Sequence, residues 1–204
     1  MYGTLVIVFA ALLSGYFYLP SILGDTVYPL QYTDSIIKWS AAHKVSPDLT
    51  AGIIYQESHF NPQAVSGPGA RGLMQIMPTT GAGINKAFNV PGYNADKLYD
   101  PDISIMFGTW YISTLIQRYD GNTAAALTAY NAGSGAVDHW FSLGLFSGGN
   151  SYSKRVLEYQ TIYRNYYGRE LFGVNFKEQA IEKPKPSFLW SRMIQDLVGL
   201  RYGT

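Results

Sequence analysis

The stretch I-I-Y-Q-E-S-H-F-N-P-Q-A-V-S-G-P-G-A-R-G-L-M-Q-I-M-P, residues 53–78, holds Glu57, the first glutamate of the chain; the next is Glu158. The run before it carries the marks of a helix start. Ser46 suits the N-cap, Pro47 the first helical position and Asp48 the helix dipole. Leu49, Ile53 and Glu57 then recur at helical spacing and share one face. That face is apolar, so it carries Glu57 inward at the end of the helix. A carboxyl held there loses hydration, its pKa rises, and it can serve as an acid near neutral pH. The same spacing also fits an exposed glutamate at the end of an ordinary helix.

Turn formers follow: Asn61-Pro62, Ser66-Gly67-Pro68-Gly69 and Arg71-Gly72. Asn61 precedes a proline and cannot easily stay helical. Gly67, Gly69 and Gly72 allow positive φ and close backbone approach. Residues 73–77, L-M-Q-I-M, form a short apolar element with one amide, Gln75, which is either a surface group or a buried hydrogen-bonding one. A second distinctive block, A-Y-N-A-G, occupies residues 129–133. It closes a run of small residues, 123–129, that Asn122 can cap and Gly133 can stop.

E-S-H-F-N-P, A-V-S and G-A-R-G-L-M-Q-I-M-P, with A-Y-N-A-G downstream, closely resemble the signature of the SLT-type (family 1) lytic transglycosylases. The resemblance covers residues 34–167. It implies a mainly α, lysozyme-like fold of the goose-type lysozyme and SLT kind, and an enzyme acting on peptidoglycan. It makes Glu57 the catalytic acid and base. Ser66 matches the serine that places the substrate acetamido group, and Met74 and Gln75 match cleft-lining residues. Tyr130 and Asn131 match the pair that positions substrate near the acid. Tyr152 falls where the family has a Y-x-x-x-V pattern, from which it packs against or hydrogen-bonds Glu57. Some members carry a further glutamate four residues before that tyrosine; here the position is Gly148. His59 is expected at the surface or rim.

Composition narrows the field. The chain has 204 residues, 47% of them hydrophobic, enough for one real core with appendages. A net charge of +1 offers no electrostatic case for nucleic acid or an acidic polymer. Cysteine is absent, which removes disulfides, thiolate chemistry and Cys-based metal sites. No cofactor or metal is expected. Asp100 and Asp102 look like a pair of ligands, but Asp100-Pro101-Asp102 reads better as a helix start, since no further oxygen ligands follow at calcium-loop spacing.

Taken in order, residues 1–24 carry no charged side chain and are apolar over 2–19. That is just long enough to span a bilayer. With no basic leader and no Ala-x-Ala site, a retained anchor is preferred to a cleaved signal. Residues 25–32 read as a linker and 33–173 as the catalytic domain. Within it, helices are expected from a Thr33 or Asp34 cap to Lys44, from Pro47 past Glu57, and from Pro78 to Phe88. Others run from Asp100 to Tyr119, across 123–132, from Ser134 to Trp140, and from Tyr152 to Tyr167 with Gly168 as the stop. Residues 174–187 are a second linker, and 188–204 an amphipathic helix. The partners implied are peptidoglycan glycan strands, the membrane through the N-terminal helix, and an envelope machine. The expected place is the cell membrane with the catalytic domain outside the cytoplasm.

Glycosidic cleavage normally uses two carboxylates. The nearest aspartates to Glu57, Asp48 and Asp96, lie outside the matching motifs, and Asp138, close to Asn131 in sequence, stands on a helix that need not face the site. A single-acid mechanism therefore fits better. The resembled family cleaves between N-acetylmuramic acid and N-acetylglucosamine and closes a 1,6-anhydro ring. The alternatives are a hydrolytic muramidase and a non-catalytic glycan-binding or assembly protein.

Overall fold

The computed structural model describes residues 26–173. Their order is α1 (Thr33–His43), α2 (Pro47–Ser58), α3 (Pro78–Phe88), a 3-10 turn (Ala95–Tyr99), α4 (Pro101–Arg118), α5 (Thr123–Ala132), α6 (Ser134–Ser142) and α7 (Ser151–Phe172). No strand forms among the described residues. Two isolated antiparallel bridges, Val65 with Arg71 and Arg71 with Ile76, close the loop between α2 and α3. All seven helices belong to one packed unit that begins at Leu30.

Helix α2 is the centre of that unit. The sequence pattern predicts one apolar face, yet nine of its residues are buried, from Asp48 to Tyr55 and again at Ser58. Ile53 and Ile54 have no exposed surface. Each such side chain contributes about 1.5–3 kcal/mol on burial. The stripe prediction was too narrow because α2 is covered on several sides, which no single helix period can report.

Helix α7 runs antiparallel to α2 and makes its closest contact. Gly52 has no side chain where the two backbones meet: a Cβ there would lie 2.9 Å from the Gln160 amide nitrogen and 3.0 Å from the Val156 carbonyl oxygen. On one side of that point, Arg164 Nε donates to the fully buried Asp48 carboxylate at 2.5 Å, and Gln160 Nε2 donates to it at 3.2 Å. Tyr55 packs edge-on against Tyr159 with ring centroids 4.7 Å apart. On the other side, Arg155 donates to Gln56 at 3.0 Å.

Local sequence signals set several helix starts. Asp100 accepts the Asp102 and Ile103 amides, and Asn122 accepts that of Ala125. Three expectations need correction. Thr33 is already helical, and the cap position belongs to Tyr32, which takes φ 57° and makes no side-chain cap. Ser46 does hold the N-cap, but its hydroxyl donates to the Asp48 carboxylate instead of accepting a backbone amide. A buried anion is the stronger partner for that hydroxyl. Gly168 does not end α7; the helix is distorted at Tyr167 (φ −120°, ψ 17°) and continues to Phe172. Burial of Leu171 at 3% exposure holds the extra turn in place.

Among the described residues, no helix is long and apolar enough to cross a membrane. The expected anchor, 1–24, and the expected amphipathic helix, 188–204, lie outside those residues.

Alanine is the better helix former, so Gly52→Ala would stabilise an isolated α2. Here the expected outcome is the reverse, a loss of about 1–2 kcal/mol, because the new methyl meets backbone that cannot rotate away. Urea unfolding of Gly52→Ala against the unchanged protein checks this.

Candidate active site

Glu57 sits in the last turn of α2, half-buried. His59 then takes φ 50° and ends the helix, its amide bonding the Tyr55 carbonyl at 3.0 Å. As expected, His59 is exposed. Antiparallel packing brings the start of α7 to the end of α2, and the Tyr152 hydroxyl donates to Glu57 Oε1 at 2.5 Å. Asn150 caps α7 there, its Oδ1 accepting the Ser153 amide at 2.9 Å.

Burial pushes the Glu57 carboxyl from its ordinary value of 4.5 up to about 7, and the Tyr152 hydrogen bond opposes that rise. Desolvation disfavours the anion, whereas a donor to the anion favours it; desolvation wins. No cation pairs with Glu57 among the described residues. Burial and the neighbouring Glu57 charge also hold the Tyr152 and Tyr130 phenols well above 10, so both remain neutral donors.

The loop after α2 is braced from both sides. Ser58 Oγ lies 2.8 Å from the Leu73 carbonyl and 3.1 Å from that of Ile54, tying the helix end to the loop. Gly72, at φ 76°, lies so close to the Leu98 carbonyl that any Cβ would collide with it. Gln75 takes φ 46°, and its amide donates to the carbonyls of Ala64 at 3.0 Å and Gly72 at 2.9 Å. Ser66 Oγ accepts the Ala70 amide at 3.0 Å.

Glu57 and Tyr152 are thus in direct contact, and Tyr130 lies near enough for the Glu57 charge to act on it. The Tyr130 hydroxyl donates to the Met74 carbonyl at 2.8 Å, linking the end of α5 to the loop. Asn131 is exposed and accepts from Asn150 Nδ2 at 3.4 Å. Ser66 and Gln75 spend these hydrogen bonds on the shape of the loop. The Met74 expectation needs correction: its side chain has no exposed surface and packs on Gly108, so it does not line an open cleft. What Met74 offers the site is its carbonyl. Its place in an otherwise apolar run was the sequence signal for burial.

Sequence reasoning passed over Ser58, Tyr111 and Asn150. Tyr111 packs on the Tyr130 ring at 5.3 Å. Asn150 had a readable signal, an Asx residue directly before a helical pattern. Nothing in the sequence marks the two contacts made by Ser58.

The three aspartates considered as partners for Glu57 are all engaged elsewhere. Asp48 pairs with Arg164, Asp96 with Arg71 at 2.6 Å, and Asp138 with Arg118 at 2.6 Å and with the Tyr119 hydroxyl at 3.0 Å. The arrangement is a lone carboxyl poised to exchange a proton near neutral pH, at the mouth of a braced loop.

The described unit is thus mainly helical, with one such acid at the end of its central helix. Residues 34–148 match the model of the Transglycosylase SLT domain, and the chain belongs to that family of enzymes. It is 36% identical over 155 residues to the soluble lytic murein transglycosylase of Escherichia coli K12, covering 69% of this chain and 24% of that protein. It is also 36% identical over 118 residues to the membrane-bound lytic murein transglycosylase C of Actinobacillus pleuropneumoniae serotype 5b, covering 52% of this chain and 32% of the relative. The lytic transglycosylase Slt of Pseudomonas aeruginosa, solved as an inactive mutant with glutamine in place of a glutamate, superposes with a TM-score of 0.61. That match is at 30% identity and covers 69% of this chain and 25% of Slt. The chain therefore spans only a quarter to a third of the length of these relatives.

Two measurements probe the acid. Tyr152→Phe removes a donor to the anion, so the Glu57 pKa rises further above 7; carboxyl NMR titration reads the direction. Glu57→Gln tests the cost of the charge. The folded state keeps its proton up to about pH 7, while the unfolded chain loses it near 4.5. Stability from this group is therefore full below 4.5 and is lost as pH rises through 7. Glu57→Gln should be the more stable protein at pH 8, and the difference should vanish towards pH 4. Denaturant melts at both pH values decide it.

Proposed function

We propose that this chain is a peptidoglycan lytic transglycosylase that cleaves the β-1,4 bond between N-acetylmuramic acid and N-acetylglucosamine, with Glu57 as sole acid and base. The observation that carries this reading is the half-buried Glu57, raised to about pH 7 and bonded to Tyr152, while Asp48, Asp96 and Asp138 are committed to arginines. The inactive glutamate-to-glutamine mutant of the Pseudomonas relative supports giving this role to a glutamate.

In the first half of the reaction, protonated Glu57 donates to the bridging glycosidic oxygen as the C1–O bond breaks. The electron pair leaves with the N-acetylglucosamine oxygen. Positive charge grows at the muramoyl anomeric carbon, and the substrate's own 2-acetamido oxygen can share it. In the second half, the Glu57 carboxylate takes the proton of the muramoyl C6 hydroxyl. That oxygen bonds to C1 and closes the 1,6-anhydro ring, so no water is consumed and Glu57 ends protonated. A pKa near the working pH suits one group to both halves.

Tyr152 holds the Glu57 carboxyl in place. Tyr130 and Asn131, at the end of α5, position the strand, and Ser66 orients the acetamido group. Met74 and Gln75 serve through the shape of the loop. Residues 1–24 anchor the domain at the cell membrane, with its catalytic site outside the cytoplasm. The relatives include both soluble and membrane-bound enzymes, which is compatible with an anchored form.

Purified peptidoglycan digested with this protein should release anhydro-muramoyl products, identified by mass spectrometry. With Glu57→Gln, release should fall by about 10²–10⁴-fold, the usual worth of a general acid or base. Products with free reducing ends would mean hydrolysis and a muramidase instead. Absence of any product with strand binding intact would mean a binding or assembly protein.

A further inference from the structure

Half of the large apolar side chains exposed among the described residues fall within residues 140–145: Trp140, Phe141, Leu143 and Leu145. Leu143 is 54% exposed and Leu145 64%. Exposed apolar residues scattered singly are ordinary, whereas a cluster of them marks a surface that meets something apolar.

The cluster has a defined shape. Helix α6 ends at Ser142, and the chain then folds back on its last turn. The amides of Leu143, Gly144 and Leu145 donate to the carbonyls of His139, Phe141 and Trp140 at 3.2, 3.0 and 2.8 Å. Gly144 makes the reversal at φ 67°. Trp140 and Leu145 then share the wall of one cavity with Phe146. Phe146 lies on Phe141 at 4.7 Å, and Phe141 on Tyr119 at 5.6 Å, so a stack of rings fixes the loop to the packed unit.

Charge around the cluster has one sign. Residues 140–153 carry no charged side chain. The acid just before them, Asp138, is held by Arg118 at 2.6 Å. Lys154 and Arg155 follow at the start of α7, and both are exposed. Tryptophan and leucine flanked by cations suit the boundary between headgroups and acyl chains of an anionic bilayer. A tip this small falls far short of the roughly 20–30 residues a side of a stable protein interface, so a second copy would gain little by covering it. Chain length agrees with a bilayer. Between the apolar run 2–19 and the start of the packed unit at Leu30 stand only residues 20–29. Fully extended, they reach about 35 Å.

We infer that residues 140–146 are a membrane-docking tip. Trp140, Leu143 and Leu145 enter the headgroup boundary of an anionic bilayer, and Lys154 and Arg155 face the lipid phosphates. The inference rests on the reading of residues 1–24 as an anchor. The anchor raises the local concentration of the tip at the bilayer, and the tip turns a tethered domain into an oriented one.

The chain has no cysteine, so Leu145→Cys takes a single fluorophore at the tip and Lys97→Cys a single one on the 3-10 turn. Each full chain is reconstituted in vesicles of phosphatidylethanolamine and phosphatidylglycerol. Brominated acyl chains then quench from the lipid, and iodide quenches from the water. Bromolipid should quench the tip label at least about twofold more than the Lys97 label, and iodide should quench it less. Exchanging phosphatidylglycerol for phosphatidylcholine should shrink the difference, and so should adding Leu143→Glu, a change at an exposed position. A vesicle-bound chain whose tip label is open to iodide and indifferent to bromolipid would overturn the tip and leave the anchor standing. A tip label shielded from iodide but not quenched by bromolipid would mean that protein covers it, and would also overturn the tip. A chain that does not float with the vesicles would overturn anchor and tip together. Release from the vesicles by Leu143→Glu alone would keep the tip and remove the anchor.

Discussion

Direct backbone contact between α2 and α7 at Gly52 is the constraint on which the site depends. With no Cβ between them, the two helices lie close along their length, and the pairs on either side fall into one antiparallel register: Asp48 with Arg164, Tyr55 with Tyr159, Gln56 with Arg155, Glu57 with Tyr152. Anchoring at the Asp48 end is strong because a buried carboxylate must keep its partners. That anchoring sets which residue of α7 meets the last turn of α2. The contact between Tyr152 and Glu57 is thus the far end of a packing arrangement that begins a helix length away.

Electrostatics divides the carboxylates into two kinds. Asp48 is buried with an arginine, and Asp96 and Asp138 are surface groups with arginines beside them. Glu57 is surrounded by tyrosines instead. A guanidinium at that position would hold the carboxyl ionised and spoil it as an acid. A phenol whose own pKa lies far above 10 supplies a hydrogen bond without a charge. The carboxyl is therefore fixed in place while desolvation still governs its proton affinity.

The parts legible in the sequence are those governed by local chemistry. Asp100-Pro101 and Asn122 start their helices because a short oxygen-bearing side chain reaches an amide two or three residues on, whatever the rest of the chain does. Glycines marked the loop after α2, and Gly72 does occupy positive φ against neighbouring backbone. Readings needed correction where burial in the core outbid a local signal. Ser46 holds the N-cap position but gives its hydroxyl to the buried Asp48 carboxylate, and Gly168 looked like a stop until Leu171 found a core position one turn further on. Met74 matched a motif whose visible feature is a side chain, whereas its link to Tyr130 runs through the carbonyl.

By itself, then, the sequence determined the helical class, most of the helix starts, the order of the two motif blocks and the identity of the solitary glutamate, because these depend on neighbours within a few residues. Only the tertiary structure decided that Glu57 is half-buried, that Tyr152 reaches it across 95 positions of chain, and that Asp48, Asp96 and Asp138 each pair with an arginine. The physical reason is that desolvation and pairing are set by whatever packs alongside. That is fixed by the meeting of α2 and α7, and helical periodicity records only which way each helix faces, not what it will find there.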